Sequence, residues 1–155
     1  MKYKLVAFWL VVFGALFAFL QTRFEYHFYY IEQSQLFLFT EAYIRNKLLL
    51  PGGFSMLVAE FLVQFFIRPY VGALVTAALL TGVGVCTAGI VKRIAPISGL
   101  FILYVLPMLA LLFMHFDFNY RVQGTVCYLM MMALLCGYMS CLLYTSPSPR
   151  DRQKS

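Results

Sequence analysis

The sequence predicts an all-α, multi-pass membrane protein with about four transmembrane helices and two interfacial helices in its first outer loop. Hydrophobic residues make up 63% of the chain and charged residues only 12%, and the mean hydropathy is +0.82. A typical soluble domain has about 25% charged residues. The charge-free runs 5–20 and 70–91 also approach the roughly 20 residues that a membrane-spanning helix needs. Four such spans would leave the 155 residues no room for a sizeable soluble domain.

The positions of these runs predict the order of the spans and their orientation. An N-terminal membrane domain is predicted over residues 1–140, with spans at about 4–22, 70–91, 94–114 and 122–140 and an outer loop at 23–69. Lys2 and Lys4 precede the first span, and Lys92 and Arg93 follow the second. Because basic residues favour the cytoplasmic side of short loops, we expect a cytoplasmic N-terminus.

Two features inside the spans predict how the helices pack and bend. The second span carries small residues four positions apart, a spacing that lets helices approach closely. The pairs are Ala73/Ala77, Ala78/Gly82 and Gly84/Ala88. Pro96 and Pro107 are expected to kink the third span.

The outer loop is predicted to hold the two interfacial helices. Residues 34–50 show a helical pattern with Glu41 four positions before Arg45, the favourable order for an intrahelical ion pair. Pro51 and two glycines then end this helix, which is too polar to span.

The second of these helices, at 54–67, would be about 21 Å long and therefore too short to cross a hydrocarbon core of about 30 Å. Glu60, Gln64 and Arg68 recur every four residues, which favours a helix lying in the membrane interface. A re-entrant half-helix is the alternative. A charge on an apolar helix is costly, so Glu60 is expected to face water or headgroups, or to pair with a basic residue.

Charge and cysteine patterns exclude several classes of function. The net charge is +6, but the basic residues are scattered between apolar runs, which is typical of helix anchoring and predicts no nucleic-acid partner. The four cysteines have no CxxC or Cys/His spacing, so no metal site is predicted. The serines and glycines form no nucleophile elbow or phosphate loop, and no cofactor is predicted.

The candidate catalytic residues are three carboxylates expected on the outer side. Glu25 and Glu32 lie seven residues apart just after the first span, and Asp117 lies in the short polar loop before the fourth span. With His115, they are expected to converge in one outer cleft. The competing interpretation is that all three are solvated charges at the membrane interface.

The C-terminal stretch 141–155 is predicted to be a non-native tail. Read back through the genetic code, residues 141–151 resemble a translated sequencing adapter. On this interpretation the chain is a truncated fragment, and the missing C-terminal part of the same protein is one of its expected partners.

The outer-loop segments 31–39, 50–54 and 60–66 carry a resemblance to known proteins. They read IEQSQLFLF, LPGGF and EFLVQFF, and they resemble an uncharacterised family of multi-pass membrane proteins of Bacteroides-type bacteria over residues 1 to about 140. The order of elements is also similar to the opening module of the C-type membrane glycosyltransferases. The usual paired acidic motif of those enzymes is absent here.

That second resemblance implies a function. In the C-type enzymes an acidic residue early in the outer loop acts near a polyprenyl-phosphate-linked sugar, and Glu32, or less well Glu25, occupies such a place. The resemblance therefore implies the N-terminal module of a lipid-linked-sugar-dependent glycosyltransferase with the bilayer and that lipid as partners. The alternative is a non-enzymatic scaffold or transporter fragment, and whether the chain is an enzyme stays open.

Overall fold

The structure, a computed structural model, describes residues 2–94, 101–117 and 119–145 and is all-helical over them. The helices follow from apolar sequences that lack interior breakers over most of their length. Their bounds are α1 Lys2–Arg23, α2 Glu25–Ser34, α3 Glu41–Leu48, α4 Gly53–Val63, α5 Val71–Ile94, α6 Phe101–Met114 and α7 Val122–Thr145. A 3₁₀ turn, Gln64–Ile67, extends α4.

Three of the described helices are long and apolar enough to cross a membrane, one fewer than the four predicted. They are Tyr3–Arg23, Val71–Ile94 and Val122–Cys141. The span predicted at 94–114 is represented by α6, whose 14 residues reach only about 21 Å. Pro107 lies inside α6, whereas residues 95–100, including the predicted kink at Pro96, lie outside the described residues.

Helix α5 is the centre of the bundle and packs against α1, α6 and α7. Its small residues make this possible, as predicted, since Ala73 and Ala77 are completely buried. A Cβ atom placed on Gly84 would lie 2.6 Å from the Trp9 ring of α1, so the ring rests directly on the α5 backbone. Close helix contact at this point requires a glycine.

The same contacts give the directions of the helices. Trp9 lies near Gly84, and Phe28, which follows α1, lies near Gly72, so α1 and α5 run antiparallel. Gly82 lies against Leu129 of α7, and Gly89 lies against Cys136, so α5 and α7 run parallel. The beginning of α1 therefore shares one end of the bundle with the ends of α5 and α7.

The two ends of the bundle differ in charge. The end that holds the start of α1 and the end of α5, called here the basic end, carries Lys4, Lys92 and Arg93. The opposite end holds α2, α3 and the residues that join α6 to α7, and it is called here the mixed-charge end. All acidic residues of the described chain belong to it or to the 24–70 segment joined to it: Glu25, Glu32, Glu41, Glu60 and Asp117.

The segment between α1 and α5 differs from the predicted pair of helices. Helix α2 was not predicted, and residues 35–40, expected to be helical, have no regular structure and begin in an extended conformation at Gln35. Side chains approach two of the carbonyls that a helix would use internally. The Gln64 amide donates to the Phe37 carbonyl at 2.9 Å, and the Tyr43 hydroxyl oxygen lies 3.1 Å from the Leu36 carbonyl, although its one proton is directed mainly to the closer Glu60 carboxylate.

Helices α3 and α4 form an antiparallel hairpin, and α4 also packs against α7. Gly52 turns the chain between the two helices with φ +72°, a left-handed conformation that favours glycine. The predicted Glu41–Arg45 ion pair is not formed in the described structure, where both side chains are exposed. Water solvates both charges there, so an intrahelical pair would add little.

Candidate functional site

Helix α2 carries two of the three candidate carboxylates on one face. At 100° per residue, Glu25 and Glu32 lie about 20° apart around the helix axis, whereas His27 lies about 200° from Glu25. Residues 119–121, which closely follow Asp117, line a pocket with Tyr30 and Ser34, and these two residues lie about 200° around α2 from Glu32. The segment that carries Asp117 therefore meets a face of α2 other than that of Glu25 and Glu32, and neither glutamate lines that pocket.

The surroundings of the two α2 carboxylates differ. Glu25 is exposed and lines a cavity of about 10 Å³ with Arg68 and Phe28, which has room for no more than one water molecule. Glu32 is half-buried, and within the described chain its carboxylate makes no hydrogen bond or ion pair. A free, half-buried carboxylate is able to accept a proton or a hydroxyl donor. The catalytic roles of Glu32, Glu25 and Asp117 stay predictions.

A buried polar chain lies behind α2, where α6 meets α7. His115 is 2% exposed, and its Nε2 atom lies 3.0 Å from the Thr125 hydroxyl. The Tyr120 hydroxyl lies 3.1 Å from the same Thr125 oxygen, and its ring packs edge-on against the His115 ring. The sequence identified His115 as a candidate but not Thr125 or Tyr120. Nothing in the local sequence indicates which side chain a threonine in an apolar helix will bind.

Both histidines near α2 are neutral at neutral pH. Burial, and secondarily the nearby His27, lowers the pKa of His115 to about 4. Burial also lowers the pKa of His27, an effect that the Asp117 carboxylate partly opposes. A neutral imidazole can bind a metal ion, but the described residues hold no group of three or more His, Cys, Asp or Glu side chains placed for one.

A polar pocket lies beside this chain, between the C-terminal part of α2 and the residues that precede α7. Its volume is about 150 Å³, and its lining is rich in hydrogen-bonding side chains, unlike the surfaces of the three long apolar helices. The lining residues are Tyr30, Ile31, Ser34, Gln35, Asn119, Tyr120 and Arg121. Arg121 is exposed and supplies five N–H donors in a planar arrangement that matches phosphate or carboxylate oxygens.

Glu60 is paired with a basic residue, which was one of the two alternatives predicted from the sequence. The Lys47 ammonium lies 2.6 Å from one carboxylate oxygen of Glu60, and the Tyr43 hydroxyl donates to the other. Glu60 is only 9% exposed, so this cluster satisfies a carboxylate inside the α3–α4 hairpin. The polar stripe on α4 therefore faces inward at Glu60 and Gln64, and Arg68 alone is exposed.

The Glu60 cluster is a structural feature more than a reactive one. Burial, and then the hydrogen bond to Glu60, raises the pKa of Tyr43 to about 12. Tyr43 consequently keeps its proton and remains a donor to Glu60 at any physiological pH. Both carboxylate oxygens have close partners, so neither is available to a substrate.

Comparison with known proteins places this chain among proteins whose function is not established. No curated protein and no solved structure matches it. One family model, described as "Family of unknown function (DUF6057)", matches residues 1–146. That range includes α1 to α7, the polar pocket and the Glu60 cluster. Because the match covers nearly the whole chain, the protein belongs to the DUF6057 family.

Proposed function

We propose that this chain is an integral membrane module that binds the phosphate-bearing head of a lipid-linked sugar in the polar pocket. The observation that carries the proposal is the position of Arg121 in a hydrogen-bonding pocket at the end of an apolar bundle. A volume of about 150 Å³ corresponds to about five water molecules, comparable with a phosphate group or a single sugar ring. Asn119 and Gln35 would bind sugar hydroxyls, and Arg121 would bind the phosphate.

The surface beside the pocket suits the lipid part of such a ligand. Leu36, Leu38 and Phe39 follow Gln35 directly and are 45% to 75% exposed. Exposed apolar side chains of this size beside a polar pocket are typical of a membrane-facing binding site. With Lys2, Lys4, Lys92 and Arg93 on the cytoplasmic side of a bacterial inner membrane, the pocket would face outward.

Binding is tested directly with purified protein in detergent and a polyprenyl phosphate as the probe. Loss of the charged hydrogen bonds from Arg121 in Arg121→Gln should weaken binding by about tenfold or more. Arg23→Gln removes another exposed cation, which lies outside the pocket, and should bind as the wild type does. Equal affinities for Arg121→Gln and wild type would refute the pocket assignment.

The orientation is tested by labelling single cysteines in a variant without the native ones. Cysteines placed at Ser34 and Asn119 should react with an impermeant thiol reagent added from outside the cell, whereas one at Lys92 should react only after the membrane is opened. Labelling at Lys92 in intact cells would reverse the proposed orientation.

The glycosyltransferase hypothesis adds a catalytic role for Glu32. Helix α2 contributes Tyr30, Ile31 and Ser34 to the polar pocket, whereas Glu32 does not line it and lies about 200° around the helix from Tyr30 and Ser34, so this role requires a substrate that reaches around α2 from the pocket. If Glu32 is a general base, Glu32→Gln in the full-length protein should lower sugar transfer by roughly 10²- to 10⁴-fold while folded yield stays unchanged. Unchanged transfer would exclude that role.

A non-enzymatic binding module or scaffold is the second candidate. The observation that favours it is that neither Glu25 nor Glu32 lines the pocket formed by the residues after Asp117, since two-carboxylate chemistry needs both groups at one substrate. In that case Arg121→Gln would still weaken lipid binding by about tenfold or more, and Glu32→Gln would change neither binding nor any transfer activity.

A further inference from the structure

A large apolar groove lies between α1 and α5 at the basic end, on the opposite half of the bundle from the polar pocket. Its volume is about 660 Å³. Residues that define it include Leu5, Val6 and Leu10 on α1 and Ala78, Val85 and Lys92 on α5. Leu10 is 65% exposed and Val85 45% exposed, so the groove is open along its side.

The sequence of α5 explains why the groove is deep. The face that lines it carries Ala78, Gly82, Val85 and Gly89, which leave space where larger side chains would fill it. Trp9 also lines the groove, and its ring is fixed by contact with the backbone of α5. From Ala78 to Lys92 the groove extends about 21 Å along α5, longer than one leaflet of a hydrocarbon core about 30 Å thick.

One end of the groove carries positive charge without a carboxylate to balance it. Lys92 lines the groove, and Lys4 is next to the groove residue Leu5. In the described chain the only ion pair is Lys47–Glu60, so neither lysine has a carboxylate partner. The Lys92 ammonium lies 5.7 Å from the Tyr104 ring centroid, a contact that leaves its N–H donors available to an anion.

We propose that this groove binds one acyl chain of an anionic phospholipid, whose phosphate pairs with Lys92. An apolar channel that ends at an unbalanced cation matches an amphipathic ligand with a hydrocarbon tail and a negative head. A transmembrane helix does not fit the space as well. It is about 10–12 Å across, and a length of 21 Å would occupy on the order of 2,000 Å³, about three times the groove volume.

The single tryptophan of the chain provides the assay. Trp9 is the only tryptophan in the sequence, and it lines the groove. Bromine atoms on an acyl chain in the groove would quench its fluorescence by contact. The protein is reconstituted in bilayers containing either brominated phosphatidylglycerol or brominated phosphatidylcholine, each diluted in unbrominated phosphatidylcholine.

We expect brominated phosphatidylglycerol to quench Trp9 at about fivefold lower mole fraction than brominated phosphatidylcholine, from the attraction of one lysine for an anionic headgroup. Lys92→Gln should remove this preference. Arg93→Gln should retain it, because Arg93 is turned to the Cys136 carbonyl of α7 at 2.6 Å and does not line the groove. Both variants remove one charge from the same end of the bundle.

A second pair of variants tests the groove itself. Ala78→Phe fills it and should lower quenching by both lipids, whereas Ala110→Phe makes the same change at an exposed position of α6 outside the groove and should not. Helix content measured by circular dichroism identifies any variant that fails to fold, and the Lys92 comparison then carries the test.

Three results would overturn the proposal. These are equal quenching by the two lipids in the wild type, a phosphatidylglycerol preference that persists in Lys92→Gln, and a Trp9 that neither lipid quenches, which would mean that protein covers the groove. The inference needs the membrane insertion proposed above but not the lipid-linked sugar. Arg121→Gln should therefore leave Trp9 quenching unchanged, so the two proposals fail separately.

Discussion

Removing Lys47 should destabilise the protein more than removing Glu60, although the two residues form one ion pair. In Lys47→Met the apolar stem remains, but the Glu60 carboxylate, 9% exposed, keeps only its bond from Tyr43. In Glu60→Leu the freed ammonium is able to reach water, because the Lys47 side chain is already 24% exposed. The asymmetry follows from which charge is left buried.

The burial of the pair sets the size of the effect. Breaking a fully buried ion pair costs about 3–5 kcal/mol, and the partial exposure of Lys47 reduces this to about 2–3 kcal/mol for Lys47→Met. Glu60→Leu should cost about 1–2 kcal/mol, mainly through the lost hydrogen bond from Tyr43. The double variant should resemble Glu60→Leu, since an apolar pair leaves no buried charge, which gives a coupling energy of about 2–3 kcal/mol.

The free energy of unfolding is measured by titrating the protein in mixed micelles with sodium dodecyl sulfate and following helix content by circular dichroism. Arg45→Met is the matched control, because Arg45 is an exposed cation on the same helix and should change stability by less than about 0.5 kcal/mol. If Lys47→Met equals this control, or if the two single effects simply add in the double variant, the pair does not hold α3 to α4.

Three further predictions follow from burial and close packing. His115 has a pKa of about 4 in the folded protein against 6.5 in the unfolded chain, so on acidification the unfolded chain takes up the proton first. The free energy of unfolding should therefore fall by about 3 kcal/mol between pH 6.5 and 4. His115→Asn should flatten this fall in unfolding titrations. The pKa of Tyr43 is raised to about 12, so above pH 10 the unfolded chain loses the tyrosine proton before the folded protein does. The free energy of unfolding should therefore fall from pH 10 to 12 in the wild type, and Tyr43→Phe should remove this contribution. Equal slopes in the two proteins would contradict the assignment. Gly84→Ala should displace Trp9, shift its fluorescence and lower the free energy of unfolding by about 1–3 kcal/mol. Gly14→Ala is the control, because nothing lies within 4 Å of the added Cβ, and it should have neither effect. An unshifted Trp9 fluorescence in Gly84→Ala would show that the contact is loose.

Local sequence patterns were enough to predict the helical class and the packing of the central helix. Long apolar runs have only one way to satisfy their backbone in hydrocarbon, so they predict helices whatever their neighbours are. The small residues of α5 predict close contact, and the structure places Trp9 on Gly84. The prediction that Glu60 is paired or solvated also needed no tertiary information, because an isolated charge on an apolar helix is costly.

The segment between α1 and α5 was harder to predict because its hydrogen bonds are made across distance in the sequence. Residues 35–40 have a helical pattern, but Gln64 binds the Phe37 carbonyl from 27 positions away. The expected Glu41–Arg45 ion pair does not form in the described structure, and the ion pair that does form joins Lys47 to Glu60, 13 positions apart. Periodicity within one helix carries no information about such partners.

The sequence by itself determined that this chain forms apolar helices, that α5 packs closely, and that four of its six acidic residues lie in the segment 24–69. These properties depend on composition and on spacing within single helices. Tertiary structure alone decided which face of α2 meets the residues before α7, so that residues 119–121 lie against Tyr30 and Ser34, and it brought Arg121 to Gln35 in the polar pocket. The rotation of a helix about its axis depends on packing against its neighbours, which short-range spacing does not encode.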